Sequence, residues 1–328
     1  MKKLKTLLLL ASASVTMWWA GNAMADTYPS RPISLVIGFG PGGPTDVIGR
    51  FVAQQLGDKL GQSVVVENRP GANGLIALRH VKKARPDGYT LLLASSGSLA
   101  IEPMYRKSVD YDVFTDFTII SPVAQYPYVM AVNAQSNVRS IGDLVAAGKA
   151  SKQALTFGSA GMGADNHLAG EWFAKKMNVP LLHVPYSGGD AALANGMLSG
   201  DIDMALISGA VALPQVQAGK LRAIGVGTKE RVSFLPDAPT VIEATGESGF
   251  LIGPWNGIIG PAGMNPEIVK KLETALQEIL NTEKTQKTLL GYGQYPFMGS
   301  GQDFSHYIKA QQIHWADVIK SGELEKLD

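Results

Sequence analysis

Cysteine is absent from the whole 328-residue chain. That excludes disulfide staples, thiolate metal ligands, a thiol nucleophile and a lipid-modified N-terminal cysteine. Charge of one sign is equally scarce, since 29 Lys and Arg stand against 28 Asp and Glu for a formal net charge of +1. No global basic field draws in nucleic acid or anionic lipid, so an anion must be recognised locally. Long apolar runs are lacking too: the N-terminal apolar stretch falls short of the ~20 residues that span a bilayer, which argues against stable membrane insertion. None of the patterns H-E-x-x-H, G-x-S-x-G or a P-loop lysine occurs, and no closely spaced His/Asp set is seen. A resident metal and an activated serine are therefore not expected.

What is present begins with an export signal. Met1-Lys2-Lys3-Leu4-Lys5 is basic, an apolar core follows from Leu7, and Ala23-Met24-Ala25 is a small-x-small site before Asp26. This predicts a signal peptide over residues 1–25, cleavage after Ala25, and an exported protein. Cleavage removes three lysines and no acid, taking the formal charge from +1 to −2. About 300 residues remain, enough for two domains of ordinary size.

The chain is organised around Ile33-Ser34-Leu35-Val36-Ile37-Gly38-Phe39-Gly40-Pro41-Gly42-Gly43-Pro44-Thr45-Asp46. An apolar, β-branched run followed by glycines and prolines reads as a buried strand entering a tight loop. A helix then begins, capped by Thr45 or Asp46, with Val47, Ile48, Phe51, Val52 and Leu56 as its apolar stripe. Backbone N–H groups at a glycine-lined helix start form an anion seat, which the helix dipole reinforces. Gly38, Gly40 and Gly43 also satisfy G-x-G-x-x-G, with Glu67 placed as a ribose-binding acid would be; an exported nucleotide-dependent oxidoreductase is the alternative this keeps open. Pro41 and Pro44 remove two donors and stiffen the loop, which suits a carboxylate cradle better.

Residues 63–67, 75–84 and 89–94 continue as strand, helix and strand, so parallel pairing with right-handed crossovers is expected. Ser95-Ser96-Gly97-Ser98 leaves the third strand at the same edge, either as a second wall of the site or as a helix cap. Residues 117–124 and 128–133 read as extended, and Ser140 caps a helix through residue 150. The opening pattern then recurs: strand 155–157, the loop Gly158-Ser159-Ala160-Gly161-Met162-Gly163 and an amphipathic helix over 164–177 form a second seat. Strand 181–184, the loop from Pro185 to Asp190, helix 191–199, strand 202–207, helix 210–218 beyond Ser208 and strand 221–226 follow. Residues 257–260 look extended and return to the first unit, and a helix starts at Asn265-Pro266. The fold class expected is α/β, with two lobes facing each other across a cleft and each a mostly parallel sheet flanked by helices. Residues 26–124 with 252–328 would form lobe 1 and residues 125–251 lobe 2. Among reactive side chains, His167 sits where it could back the second loop, and Ser159 reads as a hydrogen-bond donor, since no neighbouring base is visible in sequence.

Several motifs occur together in one order: Pro41-Gly42-Gly43-Pro44-Thr45-Asp46, Val66-Glu67-Asn68-Arg69-Pro70-Gly71-Ala72, Pro86-Asp87-Gly88-Tyr89-Thr90-Leu91, Gly158-Ser159-Ala160-Gly161 with His167-Leu168-Ala169-Gly170, His183-Val184-Pro185-Tyr186 and Leu235-Pro236-Asp237-Ala238-Pro239-Thr240. Over nearly the whole mature chain they resemble the Bug-type periplasmic receptors of tripartite tricarboxylate transporters. The resemblance implies a flytrap-like, monomeric binding protein without catalytic residues or cofactor. It would close on a small organic carboxylate and deliver it to large and small membrane subunits, a sensory role being the further alternative. Carried over residue by residue, the contacts are Phe39, Gly42, Gly43, Thr45 and Asp46 from one lobe and Ser159, Ala160, Gly161 and Gly163 from the other. Ser95, Ser96, Tyr186, Asp190 and Ser208 complete the expected site. The chain departs from the family pattern after Tyr186, where a basic residue is usual and Ser187-Gly188-Gly189-Asp190 brings an acid. Asp190 then either faces a hydroxyl or ammonium of the ligand or caps the helix at 191–199.

Overall fold

The computed structural model describes residues 28–186, 188–247 and 250–328. The expected signal peptide and its cleavage site lie outside the described residues. Two sheets form, each flanked by helices. The first contains β1 (Ile33–Ile37), β2 (Val64–Asn68), β3 (Thr90–Ser95) and β4 (Phe117–Gln125), and later β10 (Trp255–Pro261) and β11 (Tyr295–Pro296), in the order β11-β4-β10-β3-β1-β2. The second contains β5 (Tyr128–Asn133), β6 (Leu155–Ser159), β7 (Leu181–Pro185), β8 (Met204–Ser208) and β9 (Leu221–Val226), in the order β7-β6-β8-β5-β9.

Strands β1, β2 and β3 pair in parallel, as do β6, β7 and β8. The sheets are nevertheless mixed, which corrects the expectation of mostly parallel pairing. Strand β10 runs antiparallel to both β3 and β4, and β5 antiparallel to both β8 and β9. The reason is connectivity. After β4 leaves the first sheet, only Tyr126 and Pro127 precede β5, so β5 starts at the facing edge of the second sheet while its neighbours end there. The return from β9 to β10 does the same in the other direction.

These two crossings are stitched together. Tyr126 N–H donates to Pro254 O (2.9 Å), Gly227 N–H to Tyr128 O (2.9 Å) and Ile252 N–H to Gly227 O (2.8 Å). A Cβ on Gly227 would stand 2.3 Å from Ile252 O, so only glycine permits this approach. Successive residues of β1 serve opposite layers, as a central strand's alternation requires. Leu35 and Ile37 pack with Ile48, Val52 and Leu56 of the helix Pro44–Leu60, while Val36 joins the core on the other face. That core continues into the second sheet through Met130, Leu206, Phe157 and Trp172. Each such buried side chain stabilises the fold by roughly 1.5–3 kcal/mol, before the entropy of ordering it is counted.

Candidate functional site

The parallel strands bring the glycine-rich loops to one edge of each sheet. In the first lobe, the helix Pro44–Leu60 has Gly43 as its N-cap, with proline at its first position. Thr45 and Asp46 are therefore first-turn residues, which corrects the expectation that either caps the helix. Asp46 instead ties the loop down. Its carboxylate accepts from Gly42 N–H (2.9 Å), from Arg50 (2.9 and 3.0 Å) and from Asn68 Nδ2 (2.8 Å). Burial pushes its pKa up, but Arg50, Gly42 and Asn68 outweigh burial and hold it below the ordinary carboxylate value. Gly42 itself has φ +84°, a conformation glycine adopts without strain. Phe39 is half-buried against the core, and its carbonyl accepts from Asn68 Nδ2 at 3.0 Å. Among the described residues, the amides of Gly40, Gly43 and Thr45 carry no loop or side-chain acceptor. They sit at a helix start and are free to bind an anion.

The second loop differs. Ala160 N–H donates to Asn166 Oδ1 (3.1 Å), Gly161 N–H to Ser159 Oγ (3.1 Å) and Gly163 N–H to His167 Nδ1 (3.3 Å). The amides carried over as ligand contacts are thus used within the loop. Ser159 is fully buried and meets His183 Nε2 at 2.5 Å, a partner 24 residues away that no local pattern reveals. Its hydroxyl also contacts Gly161 O at 3.1 Å, so the pair braces the loop. The fold brings His167, Glu171 and His183 together, with candidate ligand atoms within 4.8 Å of one another. Both rings are occupied in holding the loop. Burial lowers both histidines and the neighbouring His183 adds to it at His167, whose pKa falls to about 4, so both are neutral near pH 7.

Across the cleft, Ser96 Oγ donates to Asp165 Oδ2 at 2.5 Å, joining the end of β3 to the first turn of the helix Asp165–Met177. Asp165 was missed in the sequence, although its place directly after the second glycine loop was the available signal. Burial pushes its pKa up to about 6, Ser96 partly offsets this, and the nearby Asp190 and Glu102 add to the rise. Ser95 stays within its own turn, where its hydroxyl meets Ser98 N–H at 3.5 Å at the start of the helical segment Gly97–Ile101. Asp190 does not cap its helix. It lies inside the first turn of Gly189–Ser199, whose N-cap is Gly188, and accepts from Ser208 N–H at 2.8 Å. Its pKa is raised by burial, against the hydrogen bonds from Ser208. Tyr186 packs away from the helix starts: its hydroxyl lies against Gly196 within the core of the second lobe.

One neighbourhood results. The Tyr126 hydroxyl lies against Thr45 of the first lobe, and Tyr126 and Tyr128 both feel the charges of Asp165 and Asp190 of the second. Two buried polar atoms without a partner lie near the start of β10 and just before β11: Asn256 Oδ1 and Gln294 Oε1. Asn256 stands beside Ser95 in the β10–β3 ladder, and Gln294 Nε2 donates to Pro44 O at 3.3 Å. Neither was visible in the sequence, because both arrive on antiparallel segments far along the chain. Buried orphan polar atoms are rare in folded proteins, so each calls for an explanation. Glu67 is bound to Arg69 and to Ser34 Oγ, and so is engaged rather than poised for a ribose. A groove of about 1050 Å³ lies elsewhere, between the helix Asp165–Met177 and the end of the chain.

Comparison with known proteins decides the family. The sequence profile described as "Tripartite tricarboxylate transporter family receptor" matches residues 48–324. The chain belongs to this receptor family. BugT of Bordetella pertussis is 33% identical over 319 residues, covering 95% of this chain and 96% of that protein. A protein of Pseudomonas sp. strain P51, named for the tcbD-tcbE intergenic region, is 34% identical over 294 residues, covering 90% and 87%. Among solved structures, Rpa4515 of R. palustris with adipate superposes with a TM-score of 0.86 at 31% identity, covering 92% of this chain and all of that one. MatC of Rhodopseudomonas palustris with malate gives a TM-score of 0.81 at 25% identity, covering 89% of this chain and all of that one. The protein is thus a two-lobed solute receptor of the tripartite tricarboxylate type. Among the described residues, no helix is long and apolar enough to cross a membrane.

Proposed function

We propose that this receptor works in the periplasm, binding a small organic carboxylate between lobe 1 (residues 26–124 with 252–328) and lobe 2 (residues 125–251) and passing it to large and small membrane subunits. The observation that carries this reading is the set of free amides at Gly40, Gly43 and Thr45, on a helix start beside buried orphan polar atoms. A carboxylate there gains charge-assisted hydrogen bonds of roughly 1.5–3 kcal/mol each, at a site the helix dipole already favours. The adipate and malate held by the two relatives are acids of the class such a seat takes. Phe39, Gly42, Gly43, Thr45, Ser96 and Ser208 would lie around the ligand, while Asp46, Ser159 and the second glycine loop shape its walls. Bound ligand favours the closed state through its extra contacts with both lobes, and the membrane subunits would recognise that state.

A thermal-shift screen of residues 26–328 against mono-, di- and tricarboxylates, amino acids and the nicotinamide dinucleotides tests the reading. A ligand at ~100 times its Kd adds roughly 2.7 kcal/mol to the native state. A shift with an organic acid is the expected result. A shift with the dinucleotides alone would overturn it.

A further inference from the structure

We infer that the cargo carries an ammonium group as well as a carboxylate, the carboxylate resting on the first-lobe amides and the ammonium between Asp165 and Asp190 of the second lobe. This rests on the receptor reading above and names the ligand class of the same cleft.

The two lobes face the cleft with opposite character. In the first lobe, the acid of the helix start is neutralised by Arg50, and the amides of Gly40, Gly43 and Thr45 are left over. In the second lobe, two helix starts carry acids of their own, Asp165 and Asp190, and the amides of the loop before Asp165 are already used. The positive ends of those helices are therefore satisfied from within the chain, and a second ligand carboxylate would meet like charge there. Neither acid is paired with a cation. Asp165 is bound by Ser96 and Asp190 by Ser208, and among the described residues no lysine, arginine or histidine acts on either carboxylate. Orphan acceptors add to this, since Asn256 Oδ1 and Gln294 Oε1 are buried and unused while the amide nitrogens of both residues are donating. A desolvated carboxylate is costly unless paired, and a second acid close by makes it costlier. A hydroxyl supplies one donor and no charge, whereas an ammonium supplies three donors and the missing positive charge.

The test is isothermal titration of residues 26–328 with two sets of ligands. One holds the common α-amino acids, β-alanine and γ-aminobutyrate; the other holds malonate, succinate, adipate, malate and lactate. The tightest ligand is expected in the first set, ahead of every member of the second by at least about tenfold. Asp165→Asn and Asp190→Asn are each expected to weaken that ligand by about tenfold or more, and to leave the acids of the second set unchanged or tighter. A dicarboxylate or hydroxy acid at the head of the ranking overturns the inference and leaves the receptor reading standing. So does a ranking that survives both substitutions. Binding by no acid of either set overturns this inference, and the receptor reading falls with it if the tricarboxylates of the wider screen also fail to bind.

Discussion

Replacing Asp165 by asparagine should stabilise the ligand-free protein, although it removes a buried hydrogen-bonded group from the cleft. The carboxyl has an ordinary value of 3.8 and is pushed up to about 6 in the fold, chiefly by burial. A carboxyl raised in this way binds its proton more tightly folded than unfolded. Its ionised form therefore weakens the native state above about pH 6, and the penalty fades as pH falls towards the unfolded value. A rise of that size corresponds to roughly 3 kcal/mol at neutral pH. Asparagine keeps an oxygen for the Ser96 hydroxyl, which now donates at 2.5 Å, so the hydrogen bond survives while the charge is lost. Urea denaturation of both proteins at pH 4.0, 5.0, 6.0 and 7.5 should show near-equal stability at the acid end and a gain of about 1–3 kcal/mol for Asp165→Asn at pH 7.5. A difference independent of pH, or a variant less stable throughout, would refute the claim that an ionised, uncompensated carboxylate lies in the cleft.

The acid of the first lobe should behave in the opposite sense. Asp46 is held below its ordinary value, so its contribution is present above pH 3.8 and is lost as pH falls through the lower folded value. Asp46→Asn should cost roughly 1 kcal/mol at pH 7, after discounting for the half-exposed Arg50, and little once pH has fallen through the lower folded value, by a denaturation series extended to more acid pH. Gly227→Ala places a Cβ 2.3 Å from Ile252 O at the paired crossings. It should lower stability by about 1–3 kcal/mol in thermal unfolding, and an unchanged midpoint would show that the crossing segments separate easily.

Much of this architecture is legible in local chemistry. The alternation in Ile33–Ile37, the glycine and proline punctuation after it, and the capping residues Ser140, Asn265 and Ser300 place the elements within a residue or two. Each depends only on neighbours along the chain, and so a reader of the sequence can find it. The seat at Gly40, Gly43 and Thr45 belongs to the same class, because a strand, a glycine loop and a helix start carry their geometry with them.

Whether a seat is free, however, depends on groups from elsewhere. The second glycine loop reads as an anion site, yet in the fold Asn166, Ser159 and His167 take its amides and His183 arrives from β7 to hold Ser159. Asp190 reads equally well as a helix cap until Ser208, on another strand, supplies the donor it binds. The reversed strands β5 and β10 follow from where the chain crosses between sheets, which no pairing preference of their residues announces. The sequence by itself determined the elements, the family and the glycine-lined helix start of the first lobe. Tertiary structure alone decided that the facing lobe is acidic, because hydrogen bonds and charges act through space between residues that the chain keeps far apart.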